Sequence, residues 1–278
     1  MREMLALGAL AIAAMAAGGA SAAPSVEIRQ AVARVTIMPE ARSDVVVEVI
    51  RANPRLPLRI AREGDRVVVD GGLGMRLRGC GSFLGRPRAM VWGIGAVGFG
   101  DMPQIIVHTP ADVHVSASGA VFGSVGRAAS VELNNSGCGD WTVADVAQAL
   151  RVGVSGSGDI RTGAAGTADL RVSGSGDIFV RRVESGLNAA TSGSGDIQTG
   201  LVNGPLRVRV AGSGNVRARG GQVTDMNVSV AGSGDVTFNG VARTLSASVA
   251  GSGDVTVSRV TGAVSKQVAG SGDIRVGT

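Results

Sequence analysis

Residues 154–160 read VSGSGDI, and close copies of this stretch return at a nearly fixed interval. The motif Asp, or its stand-in, falls at Asp140, Asp159, Asp177, Asp196, Asn215, Asp235, Asp254 and Asp273, so successive copies stand 18 to 20 residues apart. A fainter copy, SASGAV at 116–121, lies one interval upstream with Ala120 in the Asp place. A fixed period of this length is the mark of a repeat array, whose units bury their apolar faces only by stacking.

Apolar residues two apart flank each copy, as in LSASVAGSGDVTV at 245–257. Alternation of that kind predicts strands with one buried face. Leu245, Ala247, Val249, Gly251, Gly253, Val255 and Val257 share the inward parity, which leaves Ser252 and Asp254 pointing outward. Glycine at the inner side of a corner lets the backbone turn tightly and approach its neighbour. Two short strands and two corners per period predict an all-β fold, a parallel β-helix or solenoid of about eight to nine 19-residue coils. In the last copy Lys266 takes an inward position, as a polar cap on a terminal coil would.

The chain opens with MREMLALGALAIAAMAAGGASAAPS. Arg2, an apolar run and small residues before Pro24 predict a signal peptide over 1–22, with cleavage after Ala22 or Ala23, although Glu3 offsets Arg2. The apolar run is shorter than a spanning helix, and no later run is long enough to cross a membrane. An exported protein is expected to join its two cysteines, Cys80 and Cys138, in a disulfide in preference to a metal site or two free thiols. Cys138 stands at the outward Ser position of its motif, GCGD for GSGD, free to meet Cys80 from the preceding region.

Residues 23–115 read as a β-rich N-terminal region ahead of a solenoid domain at 116–278. Short strands such as ARVTIMP and DRVVVDG predict either an antiparallel cap or the first irregular coils. Within this region 71–103 is a long glycine-rich loop with Cys80, Arg76, Arg78, Arg86, Arg88 and the aromatics Phe83, Trp92 and Phe99. Two readings of it stand. One is a binding loop that sets arginines beside aromatic faces, with Arg76, Arg78, Arg86, Arg88 and Trp92 as candidates, to meet anionic glycans or lipid headgroups. The other is a disulfide-pinned flap over the open end of the solenoid.

Formal net charge is +5, and arginine supplies all but one of the 27 basic residues. The excess is spread along the chain without the concentrated patch of a nucleic-acid binder, so no nucleic-acid partner is expected. The motif aspartates offer the same group in every coil, whereas a catalytic pair must be differentiated. Asn215 keeps the hydrogen-bonding capacity of Asp without its charge, which points to turn capping. The nonapeptide pattern of calcium-binding solenoids is absent. His108 and His114, in IIVHTPADVHV, complete no zinc set at familiar spacing and read as surface histidines. No catalytic residue, metal site or cofactor is expected.

The run of AGSGD and SGSGD coils, with LPLRIAREGDRVVVDG and GCGDW upstream, resembles a bacterial family of exported proteins, the putative autotransporter adhesin head domain or head GIN domain. The resemblance implies a β-helical fold, a cell-envelope or extracellular setting and an adhesive role, and it brings no catalytic residues. Autotransporters end in a membrane β-barrel, whereas this sequence ends one short strand past its last motif. Periplasmic and cell-surface residence are therefore both expectations. The function expected is a non-enzymatic exported solenoid, an adhesin or envelope-interaction protein whose partner is a glycan or a surface protein. The rivals are a periplasmic structural or assembly module, and a glycan hydrolase or lyase using an Asp pair.

Overall fold

The computed structural model describes residues 23–277, so the signal peptide expected over 1–22 lies outside the described residues. The fold is nearly all β, a parallel solenoid with about nine turns of roughly 19 residues. Strands pair with the coil before and the coil after, so the stack is a helix of strands and not a closed barrel. At the spacing of paired strands its nine turns rise roughly 40 Å.

The inward parity read from the sequence is the one observed. Ala189, Val208, Val228 and Ala247 stack in register along the axis, and each is buried. A second row, Trp141, Ile160, Ile178, Ile197, Val216, Val236, Val255 and Ile274, follows the motif Asp position immediately in each coil. Three polar groups sit on inward parity with local partners. Asn135 donates to the Gly139 carbonyl at 2.9 Å and Thr191 to the Gly195 carbonyl at 3.2 Å, each spanning its own corner. Lys266 lies over Ala247 in the last coil and its Nζ donates to the Ile274 carbonyl at 2.8 Å, the polar cap its position predicts.

The two corners of a coil are built differently. At the GSGD corner the strands break, and the coils approach so closely that a Cβ on Gly253 would overlap the Gly234 carbonyl oxygen. These motif glycines are required by axial crowding more than by an unusual φ. The opposite corner is turned inside one continuous strand at Ile160–Val172 and at Val236–Val249, in the latter with a register shift between Phe238 and Val241. Elsewhere in the regular coils it interrupts the strands by only one to three residues. Only one corner per coil needs the motif.

Ahead of the regular coils come β1 (Ser25–Pro39), β2 (Val46–Arg51), β3 (Arg59–Glu63), β4 (Arg66–Asp70), β5 (Leu77–Phe83), β6 (Arg86–Val91), β7 (Gly95–Gly98), β8 (Gln104–Thr109) and β9 (Asp112–Val125). Both readings of this region are realised. β1 forms a coil sandwiched between β9 on one side and β4 with β8 on the other, all parallel. β2 and β3 then run antiparallel to β8 and β4 and finish that end. Spatial order thus departs from chain order, since β1 lies inside the coil formed after it.

Residues 71–103 replace the GSGD corner of the β4–β8 coil. They fold into a three-stranded antiparallel sheet, β5–β6–β7. Ala89, Val91, Val97, Leu73 and Met102 of this insert form a second apolar cluster with Val32, Ala120 and Phe122 of the coils beside it and with Leu56. It therefore covers the flank of the stack and not its open end, because its inward strand face matches the residues following the corners of β1 and β9. The disulfide between Cys80 and Cys138, with Cα atoms 5.6 Å apart, ties it to the next coil along.

Candidate binding surfaces

The motif residues form a continuous hydrogen-bonded rail along one edge of the solenoid. Oδ1 of Asp140 accepts the backbone N–H of Asp159 at 2.9 Å, and Asp159, Asp177 and Asp196 repeat the contact to the next coil. Asn215 accepts from Asp235, Asp235 from Asp254, and Asp254 from Asp273, each at 2.9 Å. The capping role predicted from Asn215 is thus performed between coils, not within a turn. Nothing in a single repeat signals that partner, because it lies 18 to 20 residues away.

Arginines two residues past the motif position add charge pairing to the rail. Arg217 meets Asp196 Oδ2 at 2.7 Å, Arg275 meets Asp254 Oδ2 at 2.7 Å and Asp273 at 3.1 Å. Burial alone would raise the Asp196 carboxyl, but the N–H and amide of Asn215 with Arg217 outweigh it and hold the group below its usual range. Arg275, followed by the Asp273 N–H, holds Asp254 low. The Ala164 N–H and then Arg181 do the same for Asp145. Groups held as anions this way are poor proton donors, and at Asp196 and Asp254 both carboxylate oxygens are engaged.

Beside the rail, the outward positions of the first strand run make a polar face. Ser116, Asn134, Gly153, Arg171, Ala190, Arg209 and Ser229 lie in register along it. Gly153 lacks the side chain its neighbours carry, and a groove of about 440 Å³ opens there, lined by Asn134, Ser136, Ser155, Arg171, Ser173 and Arg29 among others. Aligning the repeats shows the gap in sequence, VGV at 152–154 against VRV at 208–210.

The candidate residues of the insert are dispersed over it. Arg76 reaches the Trp92 carbonyl at 3.4 Å, Arg88 lies over the Phe83 ring at 5.4 Å, and Arg78 and Arg86 are exposed, as is Trp92. The histidines are not plain surface residues. His108 Nδ1 lies 2.7 Å from Glu40 and His114 Nδ1 3.5 Å from Glu132, each half-buried against its glutamate. The His108 hydrogen bond holds Glu40 below the usual carboxylate range. Among the described residues no group of three or more His, Cys, Asp or Glu could hold a metal.

These features define a β-solenoid carrying a disulfide-anchored sheet on its flank and a polar face along its length. Residues 182–278, roughly a third of the chain, match the family model described as "Putative auto-transporter adhesin, head GIN domain", which bears out the resemblance read from the repeats. A crystal structure described as a putative adhesin from Parabacteroides distasonis ATCC 8503 is similar over 91% of this chain and 92% of its own, at 16% identity and a TM-score of 0.53. Another, of a putative adhesin from Bacteroides fragilis NCTC 9343, covers 91% of each chain at 14% identity and a TM-score of 0.46. The first likeness is one of fold. No curated protein matches the sequence. Among the described residues no helix is long and apolar enough to cross a membrane.

Proposed function

We propose that this protein is a non-catalytic binding module, an exported solenoid that acts as an adhesin or envelope-interaction protein through its repetitive polar face. The observation that carries the reading is the rail. Each motif side chain from Asp140 to Asp254 is engaged by the next coil's N–H, so every one of them commits an oxygen to holding the rod together. What faces solvent beside them is mostly Ser, Asn and Arg, interrupted at Gly153 and Ala190, chemistry suited to many weak contacts with a glycan or a protein surface. The family match favours the same role, as does the description of the Parabacteroides distasonis protein of similar fold.

External protease added to intact native cells tests the reading. Degradation of the mature chain from outside agrees with an adhesin. Survival until the outer membrane is opened overturns that role and leaves a periplasmic structural or assembly module.

A further inference from the structure

We infer that the outer face of the β5–β6–β7 insert docks on the surface of a bilayer containing anionic phospholipid. This goes beyond the adhesin reading and stands without it. An antiparallel sheet with one face on a core ordinarily shows water a polar second face. Here Ala89 and Val91 of β6 are buried inward, and the alternate residues Arg86, Arg88, Met90 and Trp92 face out. Phe83 of β5 pairs with Arg86 and lies under Arg88 on the same side. Trp92 is 66% exposed, Phe83 62%, and Leu84 at the hairpin tip 87%. Leu84 also holds a φ of 50°, a backbone state that would suit glycine better than a branched side chain. An apolar residue is kept there at a cost to the turn and in full contact with water.

Charge selects the partner. Residues 71–103 hold four arginines against one acid, Asp101, so the face is cationic. They contain no Asn, Gln, Thr, Glu or Lys, and their single serine, Ser82, pairs with the inward-parity Pro87. The face therefore lacks neutral polar side chains to read sugar hydroxyls, but it has guanidinium groups for phosphates and a Trp, Phe, Met and Leu set for the headgroup boundary. Apolar burial and electrostatic attraction together are what peripheral attachment requires. The disulfide and the inner cluster hold the sheet rigidly on the solenoid's flank, so docking would fix the rod's orientation at the membrane.

The test uses the chain from Ala23 onward and vesicles of phosphatidylcholine, alone or with roughly one-third phosphatidylglycerol. Sedimentation with the anionic vesicles is expected, falling as salt is raised. Trp92 emission should shift to shorter wavelength on binding, while Trp141, 0% exposed, contributes a constant background. Arg86→Gln with Arg88→Gln should weaken binding roughly thirtyfold, about fivefold per arginine. Leu84→Gly relieves the hairpin backbone yet should also weaken binding, which separates docking from folding. Failure to bind the anionic vesicles overturns the inference. So does binding that these variants leave unchanged, or a Trp92 shift produced by a soluble anionic polysaccharide and not by vesicles.

Discussion

Asn215 gives two hydrogen bonds to one oxygen: its backbone N–H and its side-chain amide both reach Oδ1 of Asp196, at 2.8 and 2.9 Å. Its own Oδ1 accepts from Asp235 at 2.9 Å. Asn therefore continues the rail in both directions and removes one negative charge from a column of like charges. The substitution marks the column as a hydrogen-bond device, since a coil can lose the charge and keep the contact.

The glycines of the motif should be the least replaceable residues of the repeat. A Cβ on Gly234 would overlap the Gly214 carbonyl oxygen, and neither backbone can yield without parting the coils. Gly234→Ala is expected to cost more than about 2 kcal/mol, read as a fall in the urea midpoint. Ser233→Ala, in the exposed position between the two glycines, should stay within about 0.5 kcal/mol.

The disulfide should hold the insert more than the rod. It closes a 58-residue separation, worth about 4 kcal/mol in the chain-entropy account. The double variant Cys80→Ser, Cys138→Ser restores the motif's own serine at 138. Limited proteolysis is expected to cut within 71–103 in that variant first, with the β-type circular dichroism kept. Loss of the β signal at the same protease dose would contradict this assignment.

Much of this architecture is legible because the period is strict. The inward parity of Leu245, Ala247 and Val249, the outward Asp254 and the cap at Lys266 all follow from alternation, which strand geometry imposes. The N-terminal coil is not legible for a local reason. Gln30 and Ala31 stand where later coils carry the glycine corner, with Gln30 at φ 50° and its N–H bonded to Ser118 Oγ. No motif announces that β1 stacks on β9, and its partners lie some 40 to 90 residues downstream. The sheet of the insert escapes notice because glycine interrupts its alternation, and the His108–Glu40 pair because the two residues are 68 apart.

Acid should loosen the fold. Asp145, Asp196, Asp254 and Glu40 are all held below their ordinary values, as is Asp70 by the Gly72 N–H and then Arg29. A depressed folded value means the stabilisation is complete above the unfolded carboxylate range, about pH 4, and is lost as pH falls through the folded values. Thermal midpoints are expected to be level from about pH 7 to 5 and to drop below about pH 4. A midpoint that holds or rises toward pH 2 would contradict the pairing described.

The rail itself is tested by asking what the motif residue must be. Asp177 and Asp235 each accept the next motif residue's N–H, at 2.8 and 2.9 Å. Asn in either place keeps an acceptor, and Ala removes it, at about 1 kcal/mol per lost hydrogen bond. The measurement is equilibrium unfolding of the wild type beside the double variants Asp177→Asn, Asp235→Asn and Asp177→Ala, Asp235→Ala. The account expects the Asn pair to match the wild type and the Ala pair to fall by about 2 kcal/mol. If the Ala pair is as stable as the wild type, the carboxylates are not structural, and the non-catalytic reading of the solenoid loses its main support.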